Sequence, residues 1–242
     1  MDAISISAAS GMRARMESLD MLANNIANVN TGGYKMDHEF YSLYVSPDAA
    51  GDSPDTLPVI EKPWTDHAQG VLRSTGNPLD FALSGTGFFA VNGPKGALYT
   101  RNGSFRLSSA GVLTTTDGYP VRTTDGKTVQ TQSTAPLDVS TDGTVRQEGQ
   151  SLGQLDIAGF KDFAALNKQG NNYFYKIDPK TRTVAAAAEV KQGHVEDSNV
   201  GPADAAVRLV SVMRQFEMLN KAMTLGGEMN KRAIEEVARV GS

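Results

Sequence analysis

A chain of 242 residues with 40% apolar and 21% charged residues has enough material for one large folded domain or two small ones. Its formal net charge of -4, with no dense Lys/Arg cluster, argues against a nucleic-acid partner. The absence of cysteine removes disulfides, thiolate catalysis and Cys-based zinc sites.

The N-terminus, MDAISISAASGMRARMESLD, lacks the basic start and continuous apolar block of a cleavable secretory signal. No apolar run approaches about 18 residues, so direct membrane insertion is not expected. From Ala3 to about Asn30, Met12, Met16, Leu19, Ala23, Ile26 and Val29 recur every three or four positions, the spacing of one helix face. Gly32-Gly33 supplies the stop, since glycine readily takes the left-handed conformation that closes a helix. Residues 1–35 are therefore read as an N-terminal helix. Within it the stretch LANNIANVNTGGYK carries four asparagines, Asn24, Asn25, Asn28 and Asn30, where a solvated helix face would favour Glu, Lys or Gln. Their amides are expected to specify register against a neighbouring helix, because a buried amide without a partner costs about 1–3 kcal/mol.

Residues 36–76 read as an extended, mostly irregular connector punctuated by Pro47, Pro54, Pro58 and Pro63, whose Phe40, Tyr41, Tyr44 and Trp64 should pack against something. Residues 77–197 read as a β-rich outer domain: FALSG, GFFAVNG, ALYTRNGSF and later segments have strand composition. Asn102-Gly103, Asp117-Gly118, Asp125-Gly126 and Asp142-Gly143 offer tight hairpin turns. Residues 198–242 return to helix, with Ser198 or Asn199 as caps and Pro202 in the first turn.

At 100° per residue, Leu209, Val212, Met213, Phe216, Leu219, Met223, Ile234 and Val237 fall on one side of that helix. Val207, Met218, Leu225 and Met229 fall nearly opposite. One stripe can be covered by the chain itself; the second calls for another subunit. The expected fold class is α+β, with N- and C-terminal helices pairing as a coiled coil around an inserted, mainly antiparallel β domain.

Chemistry is sparse. His38, His67 and His194 are far apart and match no ligand spacing. Gly85-Thr-Gly87 lacks the remainder of a phosphate loop, no GxSxG elbow occurs, and each aspartate before glycine is explained by a turn. Neither a catalytic group nor a cofactor is expected.

LANNIANVNTGGYK resembles the N-terminal signature of the bacterial flagellar rod and hook family. The stretch from Asp80 to Val121 resembles that family's shared β segment, and Ser198-Asn-Val-Gly-Pro with the following helix resembles its C-terminal signature. The resemblance implies a structural axial protein, without catalysis or cofactor, that polymerises with itself and other rod proteins and transmits torque. It implies terminal helices in the inner layer of a tube, a β domain outside, and a place in the basal body where the rod spans the periplasm. Export would use the flagellar type III apparatus without a cleaved signal peptide. The expected assembly interface comprises Leu19, Leu22, Asn24, Asn25, Ile26, Asn28 and Val29 of the first helix. In the second it comprises Leu209, Val212, Phe216, Leu219 and Met223 on one face and Val207, Met218 and Leu225 on the other. Gly226-Gly227 departs from the family pattern and suggests bending or fraying there. The competing readings are a hydrolase on a helical stalk, which lacks a nucleophile and base, and a non-catalytic β-domain binding module.

Overall fold

The computed structural model describes residues 3–39, 41–45, 56–60, 63–170 and 172–240; the side chains of 3–8, 41–45, 56–60, 233, 234, 237, 238 and 240 lie outside that description. The chain divides into two compact units, one of Met1–Ala27, Asp37–Thr65 and Gly201–Ser242, the other of Asn28–Met36 and Asp66–Val200. Two α-helices and a mainly antiparallel set of strands among the described residues make it an α+β protein.

The first unit holds both helices, α1 (Ala3–Ala27) and α2 (Pro202–Val240). The buried line of α1 differs from the stripe expected from its large apolar residues. Gly11, Ala14, Ser18, Leu22 and Asn25 are buried, while Met16 is 54% exposed and Ala23 is exposed. Gly11 on this line faces Leu219 of α2: a Cβ there would sit 3.4 Å from Leu219 Cδ1, at van der Waals contact. Along α2, Ala205 and Val212 are buried and Leu209, Phe216, Leu219 and Met223 are half-buried, the period expected; Met213 is 47% exposed and leaves that stripe. The helix runs unbroken through Gly226-Gly227. The expected positions Ile234 and Val237 have side chains outside the described set.

The expected irregular connector contains strands. Tyr41–Val45 pairs antiparallel with Thr56–Ile60, and Asp37–His38 pairs with Trp64–Thr65. Backbone groups otherwise left without partners find them in this ribbon, and Pro58 takes its place within it opposite Leu43. Phe40, Pro47 and Pro54, and the side chains of Tyr41 and Tyr44, lie outside the described residues. Trp64 stacks on His38 at 4.6 Å between ring centroids, with half its surface exposed.

The second unit is built on a six-stranded sheet. Its strands, in spatial order, are Leu166–Gln169, Tyr173–Lys176, Gly96–Thr100, Phe88–Gly93, Ile157–Gly159 and Val184–Ala185. Phe88, Phe89, Ala90 and Val91 are all buried, so the sheet is covered on both faces there. Phe89 and Val91 join a core with Phe81, Leu83, Phe105, Leu113 and Val121. Phe88 and Ala90 join Tyr99, Ala158, Phe160, Leu166 and Phe174 on the other face. Three of the four expected glycine turns have positive φ: Gly118 (87°), Gly126 (80°) and Gly143 (83°). Gly103 does not. Its glycine is required by close approach, since a Cβ would lie 1.6 Å from the Phe81 carbonyl oxygen.

The first helix ends at Ala27, short of the expected Asn30, because Asn28 is used in a turn: its carbonyl accepts from Thr31 N at 3.0 Å and its side-chain oxygen from Thr31 Oγ1 at 3.0 Å. Gly33 follows with φ of 68°, and a Cβ there would lie 2.3 Å from the Asn102 backbone nitrogen. Gly33→Ala is therefore expected to destabilise the second unit by about 2 kcal/mol or more, read as a lower urea midpoint followed by tryptophan-independent circular dichroism.

Candidate assembly interface

Two segments of the second unit continue directly into the helices: Asn28–Met36 follows α1, and the stretch ending at Val200 precedes α2. Both converge on one buried carboxylate. Lys35 Nζ lies 2.5 Å from Glu196 Oε1, and Arg101 Nη1 lies 3.1 Å from Glu196 Oε2; the Lys35 and Glu196 side chains are fully buried and that of Arg101 is 4% exposed. Burial in low dielectric disfavours the charged forms of Lys35 and Arg101 and holds both pKa values below their usual ranges, while the attraction of Glu196 opposes that shift. Further donors and acceptors complete the site. Gly70 N donates to Glu196 Oε1 at 3.0 Å, Lys35 Nζ to the Ala68 carbonyl at 2.6 Å, and Arg101 Nη2 to the Gly85 carbonyl at 2.6 Å.

Asn199 tightens the same junction. Its Oδ1 accepts from Met36 N at 2.7 Å and its Nδ2 donates to the Asp66 carbonyl at 2.9 Å. Neither expected cap residue therefore caps α2: Asn199 is engaged here, Ser198 Oγ accepts from Val200 N, and the first turn closes on the Gly201 carbonyl, which accepts from Ala205 N at 2.9 Å. Gly33 N donates to the Glu196 carbonyl at 2.7 Å, and Tyr34 is fully buried with Lys168 Nζ 4.1 Å above its ring.

The asparagines divide by role. Asn25 is buried and clamps the chain to itself: its Nδ2 donates to the Asp37 carbonyl at 2.8 Å and its Oδ1 accepts from Asp37 N at 3.1 Å. Asn28 is buried in the turn just described. Asn24 and Asn30 face outward. Of the other expected interface positions, Leu22 is buried, and Leu19, Ile26 and Val29 are half-buried. Asn28 and Val29 belong to the second unit, the remaining positions to the first. The second face of α2 is open: Val207 is 70% exposed, Met218 63% and Leu225 51%. A surface hollow of about 560 Å³ runs along this face, lined by Val207, Val210, Arg214 and Met218 among others.

The histidines do not share a site. His38 stacks on Trp64, His194 Nδ1 lies 2.9 Å from the Gln192 carbonyl, and His67 sits among Phe88, Phe163 and Phe174. Among the described residues no group of three or more His, Asp or Glu side chains is placed to hold a metal ion. Sequence reasoning missed Lys35, Arg101, Glu196 and Asn199. The one available signal was position, since Lys35 closes the N-terminal signature stretch and Asn199 lies in the C-terminal one.

The two helices are continuous in sequence with the entry and exit segments of the β unit, and those segments are locked to each other by the Lys35–Glu196 pair and by Asn199. Family comparisons place the chain. Residues 7–35 match the flagella basal body rod protein family, 82–147 the D1 domain of flagellar hook protein FlgE/F/G, and 191–236 the C-terminal region of flagellar basal body rod FlgEFG proteins. The flagellar basal-body rod protein FlgF of Caulobacter vibrioides is 30% identical over 226 residues, covering 92% of each chain. FlgF of Mesorhizobium japonicum is 31% identical over 230 residues, 94% of this chain and 95% of the relative. FlgG of Bacillus subtilis is 32% identical over 253 residues, 91% of this chain and 93% of the relative. The chain belongs to the flagellar basal-body rod protein family. Lys35, Arg101 and Glu196 each fall in a different one of the three matched segments.

Two outcomes follow from this geometry. Glu196→Gln leaves two buried cations without their counter-charge and is expected to destabilise the second unit by about 3–5 kcal/mol, measured by urea denaturation at neutral pH. Burial lowers the His67 pKa to about 4, with the positive Lys35 acting in the same direction. The unfolded chain therefore binds the proton more tightly, and stability present above about pH 6.5 falls as pH drops toward 4, by at most about 3 kcal/mol. His67→Phe is expected to flatten the dependence of the urea midpoint on pH between those values.

Proposed function

We propose that this protein is a structural subunit of the proximal part of the flagellar rod, which polymerises through its helices and transmits torque without catalysing a reaction. The observation that carries the reading is the exposed apolar face of α2, opposite the stripe turned toward its own chain. Each aliphatic side chain fully buried on that face contributes on the order of 1.5–3 kcal/mol, enough in sum to favour assembly. Self-complementary contacts that close on themselves would give a dimer; contacts between different faces that do not close give a filament. In the filament, α1 and α2 pair as a coiled coil in the inner layer, Leu19, Ile26 and the α2 stripes form subunit contacts, and the β unit lies outside.

The proximal assignment, rather than the distal one, is supported by length. The FlgF relatives align over 226 and 230 positions, whereas the FlgG relatives need 246–253 positions to cover a similar share of this chain. The Arg214-Gln-Phe-Glu-Met218 stretch points the same way. The protein resides in the flagellar basal body, its partners are copies of itself and other rod proteins, and it reaches the rod through the type III export apparatus. No helix among the described residues is long and apolar enough to cross a membrane.

Val207→Glu combined with Met218→Glu is expected to abolish incorporation into rods while changing folding stability by no more than about 0.5 kcal/mol, as for exposed positions generally. Electron microscopy of basal bodies carrying a tagged copy reads both incorporation and proximal or distal position; normal rods from the double variant would refute the assembly reading.

A further inference from the structure

The segment from Asp66 to Gly70 is fastened across the second unit like a strap. The Asp66 carbonyl accepts from Asn199 Nδ2 at 2.9 Å, and the Ala68 carbonyl accepts from Lys35 Nζ at 2.6 Å. Gln69 grips the strand Phe81–Thr86 with both ends of its amide: Nε2 donates to the Leu83 carbonyl at 2.9 Å and Oε1 accepts from Gly85 N at 3.0 Å. Gly70 N donates to Glu196 Oε1 at 3.0 Å. His67, in the middle, is held by rings. Its imidazole stacks on Phe163 at 4.5 Å between centroids, and meets Phe174 at 5.1 Å and Phe88 at 5.7 Å. Nδ1 is buried in this cage without a hydrogen-bond partner. A neutral imidazole can leave a bare nitrogen there, but the imidazolium carries N–H on both nitrogens, so its Nδ1–H would be a buried donor with no acceptor. Lys35, Arg101 and Lys168 around the ring repel a positive charge, while Asp66 attracts one. Glu196 gives little relief, since Lys35, Arg101 and Gly70 already occupy its two oxygens.

We propose that Asp66–Gly70 is an acid-released strap: a proton taken up by His67 drives its ring out of the phenylalanine cage, and the fastenings on either side let go with it. Release takes the Ala68 carbonyl from Lys35, the Gly70 N–H from Glu196 and the Asp66 carbonyl from Asn199, so the buried charge cluster and the segments it seats loosen together. The six-stranded sheet and its two cores stay folded, which distinguishes this opening from a loss of overall stability. Its direction follows from linkage. The caged ring binds a proton at about pH 4 and a released one near the ordinary 6.5, so falling pH favours the open strap between those values. All the groups involved belong to the second unit, so the device operates whether or not the helices assemble.

The test follows the isotope-labelled full chain by two-dimensional NMR while the pH is lowered from neutral to about 4. The amide signals of Gly70, Gly85 and Met36, whose N–H groups bond to Glu196, Gln69 and Asn199, are expected to move together with the His67 imidazole signal. Those of Val91 and Leu113 in the core are expected to stay in place. His67→Phe leaves a ring in the cage that takes no proton, and should hold the strap signals fixed over the same range. Gln69→Ala removes the bonds to Leu83 and Gly85, favours the open strap at every pH, and should raise the midpoint of the transition toward 6.5. Strap signals that stay fixed while His67 titrates, that move equally in His67→Phe, or that vanish at the same pH as the core signals would each overturn the proposal. An unchanged midpoint in Gln69→Ala would do the same.

Discussion

A carboxylate with no access to water holds together three stretches of chain that are remote in sequence. Glu196 meets Lys35 and Arg101 on its two oxygens, and it takes a backbone N–H from Gly70 as well. Three charges out of water are not favourable in themselves, because desolvation opposes each of them. What they impose is exactness of arrangement: each buried charge is tolerated only with its partners in place, so the segment after α1 and the segment before α2 must both be seated. The match of the three family segments to the three members of this cluster gives a physical reason for those segments to occur together in one chain.

The two helices solve complementary halves of a packing problem. One buries Gly11, Ala14 and Ser18, the other half-buries Leu209, Phe216 and Leu219, and Gly11 and Leu219 meet at van der Waals distance. Because the large residues of α2 on its other side find no cover within the described chain, the unit carries exposed apolar surface of the kind that marks an interaction site. At the end of α1, Asn25 and Asn28 are buried and bond within the chain, while Asn24 and Asn30 of the same motif are exposed.

Much of this was legible in the residues, and the gaps have identifiable causes. The α2 stripe could be read because large aliphatic side chains recur at the helical period. The α1 line could not, since glycine and serine do not register as apolar and alanine does so only weakly. The Asp-Gly turns were readable from their local backbone demand, whereas Gly103 answers to the carbonyl of Phe81, a neighbour that only the fold supplies. Paired strands in the connector were hidden by short lengths and by prolines. The buried charge cluster was invisible for a stronger reason: a lysine or glutamate reads as surface until its partner is known.

That partner is far away along the chain. Lys35 and Glu196 are 161 positions apart, so the ion pair cannot form until the chain has been made as far as Glu196. Closing so long a loop carries an entropic penalty that is met before the contact forms. The Lys35 end of the N-terminal signature thus stays without its carboxylate while the chain is incomplete, and the buried charge cluster is completed late in the making of the molecule.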